Sequence, residues 1–247
     1  MSIKIGLNLM LKTPPSRLYN NCMKTNIVKI IAFVAAATLA LSVNAADNQS
    51  DASVSGSVST GFATENFYRG ADLGDDTLNV GAELRGSLAG VETFGSVVTG
   101  QSIENSADQY FITAGIASQL FGLDLATGYL HTEGVPGDAT GELFARFSTD
   151  KLLNLSAVVY YELDDELWTT ELGISESIDL DVASLTGHAS IGCTEVTSSD
   201  DRTYYVVGAN LSRELVEDVS LVAGIDYVDA DDRGDDTCFH AGIQLKF

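Results

Sequence analysis

Proline is almost missing from this chain: there are three in 247 residues, and only Pro136 lies beyond residue 45. A chain with so few breakers can run long regular elements back to back. Cysteine is as scarce, with Cys22 near the start and Cys193 and Cys238 far downstream. That excludes a disulfide-built scaffold and supplies no zinc-ligand spacing. Basic residues are also few: 13 Lys and Arg stand against 35 Asp and Glu. Lys4, Lys12, Arg17, Lys24 and Lys29 all fall in the first 45 residues, which contain no acid, so residues 46–247 keep 8 bases against 35 acids and a net charge of −27. Such a balance excludes nucleic-acid backbone binding, which needs clustered Lys and Arg. The apolar run Ile30 to Val43 is too short for a comfortable transmembrane helix, and no later stretch is long and apolar enough for one. Nor does any segment sustain an amphipathic helical period over three turns.

The first 45 residues have the layout of a targeting segment. Met23 to Lys29 is a short basic stretch, Ile30 to Val43 is apolar, and Val43-Asn44-Ala45 offers the small residues of a cleavage site. Residues 1–45 therefore read as an upstream extension plus a secretory signal peptide, and residues 46–247 as the functional domain.

What those 202 residues contain is alternation. Segments of about ten residues with apolar side chains at every second position recur along the chain, broken by turns. About twelve strands are expected, near 52–63, 78–88, 91–103, 110–121, 123–131, 140–149, 153–163, 167–178, 181–193, 203–214, 219–228 and 237–247. The last is the most informative. Phe239, Ala241, Ile243, Leu245 and Phe247 alternate with Cys238, His240, Gly242, Gln244 and Lys246, and nothing follows to cover the apolar set. A soluble half-buried edge strand is the competing reading. The ending resembles the closing strand of a bacterial outer-membrane β-barrel, in which Phe239, Ile243, Leu245 and Phe247 are the expected assembly signal.

Connection lengths and aromatic placement point the same way. The expected connections alternate between short ones, such as Ala89-Gly90 and Asp179-Leu180, and long ones, such as Thr64 to Thr77 and Asp229 to Asp236. This is the pattern of periplasmic turns and external loops. Tyr68, Tyr110, Tyr129, Tyr160, Tyr161, Tyr204, Tyr205 and Tyr227 all fall at the external strand ends with Trp168 and Phe239, and Phe121, Phe147 and Phe247 at the opposite ends. Two bands suit rings at the two headgroup levels. The fold class expected is all-β: a closed antiparallel up-and-down transmembrane β-barrel of about 12 strands.

Parity then assigns faces. Leu78, Val80, Ala82, Leu84 and Leu88 go to lipid, as do Leu153, Leu155, Ala157, Val159, Tyr161 and Leu163, while the third and fifth strands stay ambiguous. The candidate pore-lining set is Glu83, Arg85, Glu142, Arg146, Glu171, His188, Asp226 and His240, with Ser53, Ser55, Ser57 and Ser59 lining the first strand. Opposed acids and bases either sort small ions across a narrow lumen or pair with one another and plug it.

Thr64-Glu65-Asn66-Phe67-Tyr68-Arg69-Gly70-Ala71-Asp72-Leu73-Gly74 resembles the aromatic-Arg-Gly element that opens a family of small porin-like barrels, the TorF family. The resemblance implies an outer-membrane channel and singles out Arg69, expected as a loop or rim cation. Asp231, Asp232, Asp235 and Asp236 form an acidic rim loop. It faintly follows calcium-loop spacing, but Arg233 stands where an oxygen donor belongs and no bidentate Glu follows. Cys193 and Cys238 fall on opposite faces, so a bridge would need a bulge. Ser190 and His188 share a face without a nucleophile-elbow context or a third orienting residue.

No catalytic residue, metal or cofactor is therefore expected. The expected role is a passive channel in the bacterial cell outer membrane for small solutes or ions, weakly cation-preferring. The alternative is a non-conducting surface-interaction barrel with acidic external loops. Expected partners are outer-membrane lipid and lipopolysaccharide, the barrel assembly machinery, and small solutes or cations.

Overall fold

The computed structural model describes residues 54–88, 91–103, 108–134, 140–151, 153–197, 200–231 and 234–247. The signal-peptide reading of residues 1–45, Ser53 and Asp232 lie outside the described residues. Twelve strands follow one another: β1 Val54–Tyr68, β2 Ala71–Leu88, β3 Val91–Ser102, β4 Asp108–Leu120, β5 Leu123–Glu133, β6 Thr140–Thr149, β7 Leu155–Glu162, β8 Trp168–Leu180, β9 Ala183–Thr197, β10 Asp200–Val216, β11 Val219–Ala230 and β12 Gly234–Lys246. Each pairs antiparallel with its sequence neighbours, and β12 closes on β1. The seam runs from Ser57 opposite Lys246 to Ala63 opposite His240, and Gly56 and Phe247 exchange backbone hydrogen bonds of 2.9 and 3.0 Å at its end. Closure leaves no sheet edge, which is the condition for a sheet to sit in lipid.

The registers turn sequence parity into two faces. Ile112, Ile116, Leu143, Leu172, Val207, Leu211, Ile225 and Ile243 are exposed on the outside, a belt that only hydrocarbon satisfies. Tyr129, Trp168, Tyr205, Tyr227 and Phe239 are also exposed there, as an aromatic band toward one end. Phe121, Phe147 and Phe247 stand toward the other. That second end carries the tight turns and the terminal strand ends, and is the periplasmic end in barrels of this architecture.

The expected connections need correction at the external end. Instead of a loop over 64–77, β1 and β2 continue to Tyr68 opposite Ala71 and turn at Arg69-Gly70 alone. Both turn residues have positive φ, 53° and 74°, as a twist-matched two-residue hairpin turn requires. The connection between β9 and β10 is also just 198–199. In these two hairpins external length resides in strands that overrun the bilayer rather than in loops. β2 has 18 residues and β10 has 17, against roughly 9 to 11 needed to span hydrocarbon.

Candidate functional site

The β1–β2 hairpin does not stand upright above the barrel. Its pairing register shifts between Asn66 and Phe67, opposite Gly74 with φ 118°, and beyond that point the hairpin bends over the lumen. Gly70 at its tip is buried. A Cβ there would lie 2.8 Å from the Cβ of Tyr204 on β10 and 3.0 Å from that of Ala230 on β11, both lumen-facing and each 2 % exposed. Glycine is thus required twice, by its φ and by the close approach.

The neighbouring Arg69 reaches the wall formed by β6, β7 and β8. Its Nη1 and Nη2 donate to Oε1 and Oε2 of Glu142, both at 2.6 Å, and Nη1 lies 3.4 Å from the Thr169 hydroxyl. The guanidinium carbon sits 4.1 Å from the ring centre of Tyr160 and 4.6 Å from that of Tyr68. Glu142 is 3 % exposed. A buried carboxylate of this kind needs a partner that fills both oxygens, which a fork of parallel N–H groups does. Tyr68 also packs on Phe111 of β4, with ring centres 5.1 Å apart.

The hairpin root is held by buried amide chemistry. Gln109 of β4, fully buried, accepts from Asn66 Nδ2 at 2.6 Å and donates to the Leu73 carbonyl at 2.5 Å. Ser102 donates to the Asp75 carbonyl at 3.1 Å. Next to the root, the carboxylates of Glu65, Asp72 and Asp75 lie within 4.8 Å of one another.

Below the tip, β9 to β12 carry a second cluster. His188 Nε2 lies 2.9 Å from Asp226 Oδ1, and His240 Nε2 lies 3.3 Å from Asp226 Oδ2. The imidazoles occupy slots over Gly208 and Gly224, where a Cβ would meet them. Deeper still, Arg85 donates to Glu83 at 2.5 Å and to Glu92 at 3.3 Å. Open space surrounds this level. A cavity of about 840 Å³ is lined by Arg85, Glu92, Phe94, Phe144, Arg146, Tyr160 and Glu171, and one of about 390 Å³ shares Arg146 and Glu171 with it and adds His188. A third, of about 610 Å³, runs along the β1–β12 seam between Glu65 and Gln244.

The register places Glu83, Arg85, Glu142, Arg146, Glu171, His188, Asp226 and His240 all on the inward face. They form three separate groups: Glu142 in the external constriction, the two histidines around Asp226, and the arginine-carboxylate level below. Glu171, opposite Gly192 toward the external end of β8, lies just beneath the constriction and accepts from the Tyr204 hydroxyl at 2.9 Å.

Several residues sit differently from expectation. Arg69 is inside the lumen on a wall carboxylate, not at the rim on loop acids, because the hairpin bends inward. Tyr68, Tyr160 and Tyr204 lie at the external level but face the lumen, so the outer band draws on fewer tyrosines. Of the rim acids, Asp231 and Asp235 are exposed and Asp236 accepts from the Thr237 amide at 2.7 Å. Both thiols are free. Cys193 faces outward, whereas Cys238 faces inward and donates to the Glu65 carbonyl at 3.0 Å. His188 does have an orienting carboxylate, Asp226, which the sequence did not reveal. Tyr160, Thr169, Gln109 and the Phe94, Phe144 and Tyr160 ladder, with ring centres 6.3 and 6.0 Å apart, were not singled out as site residues. The inward parity of β6, β7 and β8 is the signal that points to Phe144, Tyr160 and Thr169.

No protein-family model and no curated protein matches the sequence. Solved structures do match. The NanC porin superposes with a TM-score of 0.53 at 10% identity, over 77% of this chain and 100% of that one. The KdgM porin does so with 0.50 at 12% identity, over 77% and 99%, and its complex with disordered oligogalacturonate matches equally, with 0.50 at 12% over 77% and 99%. At such identity the likeness is one of fold: the chain has the outer-membrane β-barrel architecture that these porins share. The resemblance to the TorF family gains no support from the family comparison.

Proposed function

We propose that this protein is a passive channel of the bacterial outer membrane for small solutes, with a preference for cations. The observation that carries the reading is the unfilled lumen at the level of Arg85, Arg146 and Glu171, where cavities of about 840 and 390 Å³ share a polar lining. A barrel whose interior only stabilised itself would fill that level with side chains.

The sign of the preference follows from internal pairing. Arg69 is consumed by Glu142, and Arg85 by Glu83 and Glu92. Asp124, Glu162, Glu171 and Asp226 then face the lumen against Arg146 and Lys246. The acidic rim adds to this field. The same resemblance that singled out Arg69 supports a TorF-like channel as part of this proposal. Outer-membrane lipid and lipopolysaccharide are the proposed surroundings, with the barrel assembly machinery reading the terminal strand.

A second reading has its own observation. The seated hairpin tip narrows the external lumen, which suits a non-conducting surface barrel. Single-channel recording of purified, refolded protein separates the two. Discrete conductance steps with a reversal potential favouring cations are expected. Silent membranes with correctly inserted protein would favour the surface barrel, and an anion-favouring reversal potential would remove the cation preference.

A further inference from the structure

We propose that the external constriction is a recognition site for guanidinium-bearing cations, held in the closed barrel by the chain's own Arg69 as a tethered occupant. Its role in transport rests on the channel reading above; the binding itself rests on geometry alone. The wall offers a planar forked cation everything it needs. Glu142 presents both oxygens at 2.6 Å, Thr169 adds a hydroxyl at 3.4 Å, and the Tyr160 ring lies 4.1 Å from the guanidinium carbon. A compact ammonium can take the charge but not two parallel hydrogen bonds and a stacked face together.

Receptor and occupant come from different parts of the fold. Glu142, Tyr160 and Thr169 belong to β6, β7 and β8, which pair with one another without the hairpin. Arg69 arrives from β1 and β2 through a segment that has a hinge. The register shift at Asn66 and Phe67 faces Gly74, whose φ is 118° and around which a Cβ would meet nothing nearer than 3.5 Å. The seated hairpin also leaves the Tyr68 hydroxyl beside its tip buried without a partner among the described residues. Water would satisfy that hydroxyl once the hairpin swings out.

A free guanidinium makes the same contacts with the wall without burying that hydroxyl. Because it binds only when Arg69 is displaced, it shifts the hairpin toward the withdrawn state. Glu162, opposite Glu142 in the register, and Glu171 add negative charge that draws a cation to the vacated site.

The test compares wild type, Arg69→Ala, and Arg69→Ala combined with Glu142→Gln, using methylguanidinium and methylammonium chlorides at matched ionic strength. The unfolding temperature is read from heat-dependent gel mobility. Methylguanidinium should restore the Arg69→Ala variant toward wild type with apparent affinity about tenfold above methylammonium, and should do nothing for the double variant. Equal response to the two cations, or an undiminished response in the double variant, overturns the site. If Arg69→Ala does not insert, Arg69→Lys carries the same comparison, since its ammonium holds Glu142 less well than the added fork.

In planar bilayers, methylguanidinium replacing sodium on the external side should raise wild-type conductance beyond the ratio of bulk mobilities, and this excess should vanish in Arg69→Ala. A wild type indifferent to the exchange overturns displacement of Arg69. Silence of all three proteins would sink the channel reading and leave the unfolding series to judge the site.

Discussion

Arg69 and Gly70 divide one task between them: the glycine lets the hairpin tip approach the opposite wall, and the arginine anchors it there. Gly70→Val adds a branched side chain at φ 74°, against the Cβ atoms of Tyr204 and Ala230. The strain and overlap should cost the seated tip about 1–3 kcal/mol, while the strand ladders below are untouched. The expected outcome is normal heat-dependent mobility with raised single-channel conductance; unchanged conductance would mean that the tip does not limit flow. Glu142→Gln tests the anchor from the other side. It leaves the Arg69 guanidinium in a largely buried site without its countercharge, a loss of about 3 kcal/mol or more. Urea unfolding or a shift in the mobility transition measures it, and Thr169→Val, which removes the long 3.4 Å contact with Arg69 and the 3.0 Å bond between the Thr169 and Thr194 hydroxyls but leaves the charge pair, should shift it by less.

At the scale of the strands, the outside of the barrel meets one solvent and the inside meets two. Hydrocarbon makes a uniform demand, so the lipid face was legible in most strands: Leu78 to Leu84 and Leu155 to Tyr161 face as parity indicated. Ile225→Arg should cost about 2–4 kcal/mol near mid-depth, and Ser212→Arg on the lumen face of neighbouring β10 much less; refolding yield into vesicles measures the contrast. The third and fifth strands resisted the same argument because part of their lumen face is itself apolar. Val98 and Phe111 pair across β3 and β4, and Leu130 lies opposite Glu142, so the rule of polar residues inside fails there. The hairpin was illegible for another reason. Thr64 to Thr77 is rich in Asp, Asn, Gly and Thr, a composition that imitates a loop, and its decisive contact joins residues 73 apart in sequence. The closing strand was readable on its own, since Phe239, Ile243, Leu245 and Phe247 all stand exposed on the outside. Deleting Phe247 removes its two backbone bonds to Gly56 and the proposed signal for the assembly machinery. Insertion in cells should fall while conductance of the molecules that do insert stays the same.

For the whole molecule, a net charge of −27 over residues 46–247 does not by itself decide which charges a permeating ion feels. At 0.1 M salt the screening length is about 10 Å, so acids at the rim act on an ion deep in the lumen only weakly, whereas those on the lumen wall sit in a confined, poorly screened space. At the external constriction Arg69 and Glu142 cancel at 2.6 Å, which leaves Glu162 opposite them as the net charge. Below the constriction, Asp124 and Glu171 line the cavity of about 840 Å³ against Arg146, while Arg85 there is held by Glu83 and Glu92. Selectivity should therefore be set on the lumen wall rather than at the rim. Neutralising Glu92, Asp124 and Glu171 together as Gln, Asn and Gln leaves Arg146 in excess at this cavity, with Arg85 still paired to Glu83, and the reversal potential in a salt gradient should move from cation-favouring toward neutral at every ionic strength. Neutralising Asp231, Asp235 and Asp236 should shift it only at low salt, with the effect fading as the screening length contracts. If the rim variant abolished cation preference at high salt while the lumen variant left it intact, the selectivity would belong to the external loops and the lumen assignment would have to be abandoned.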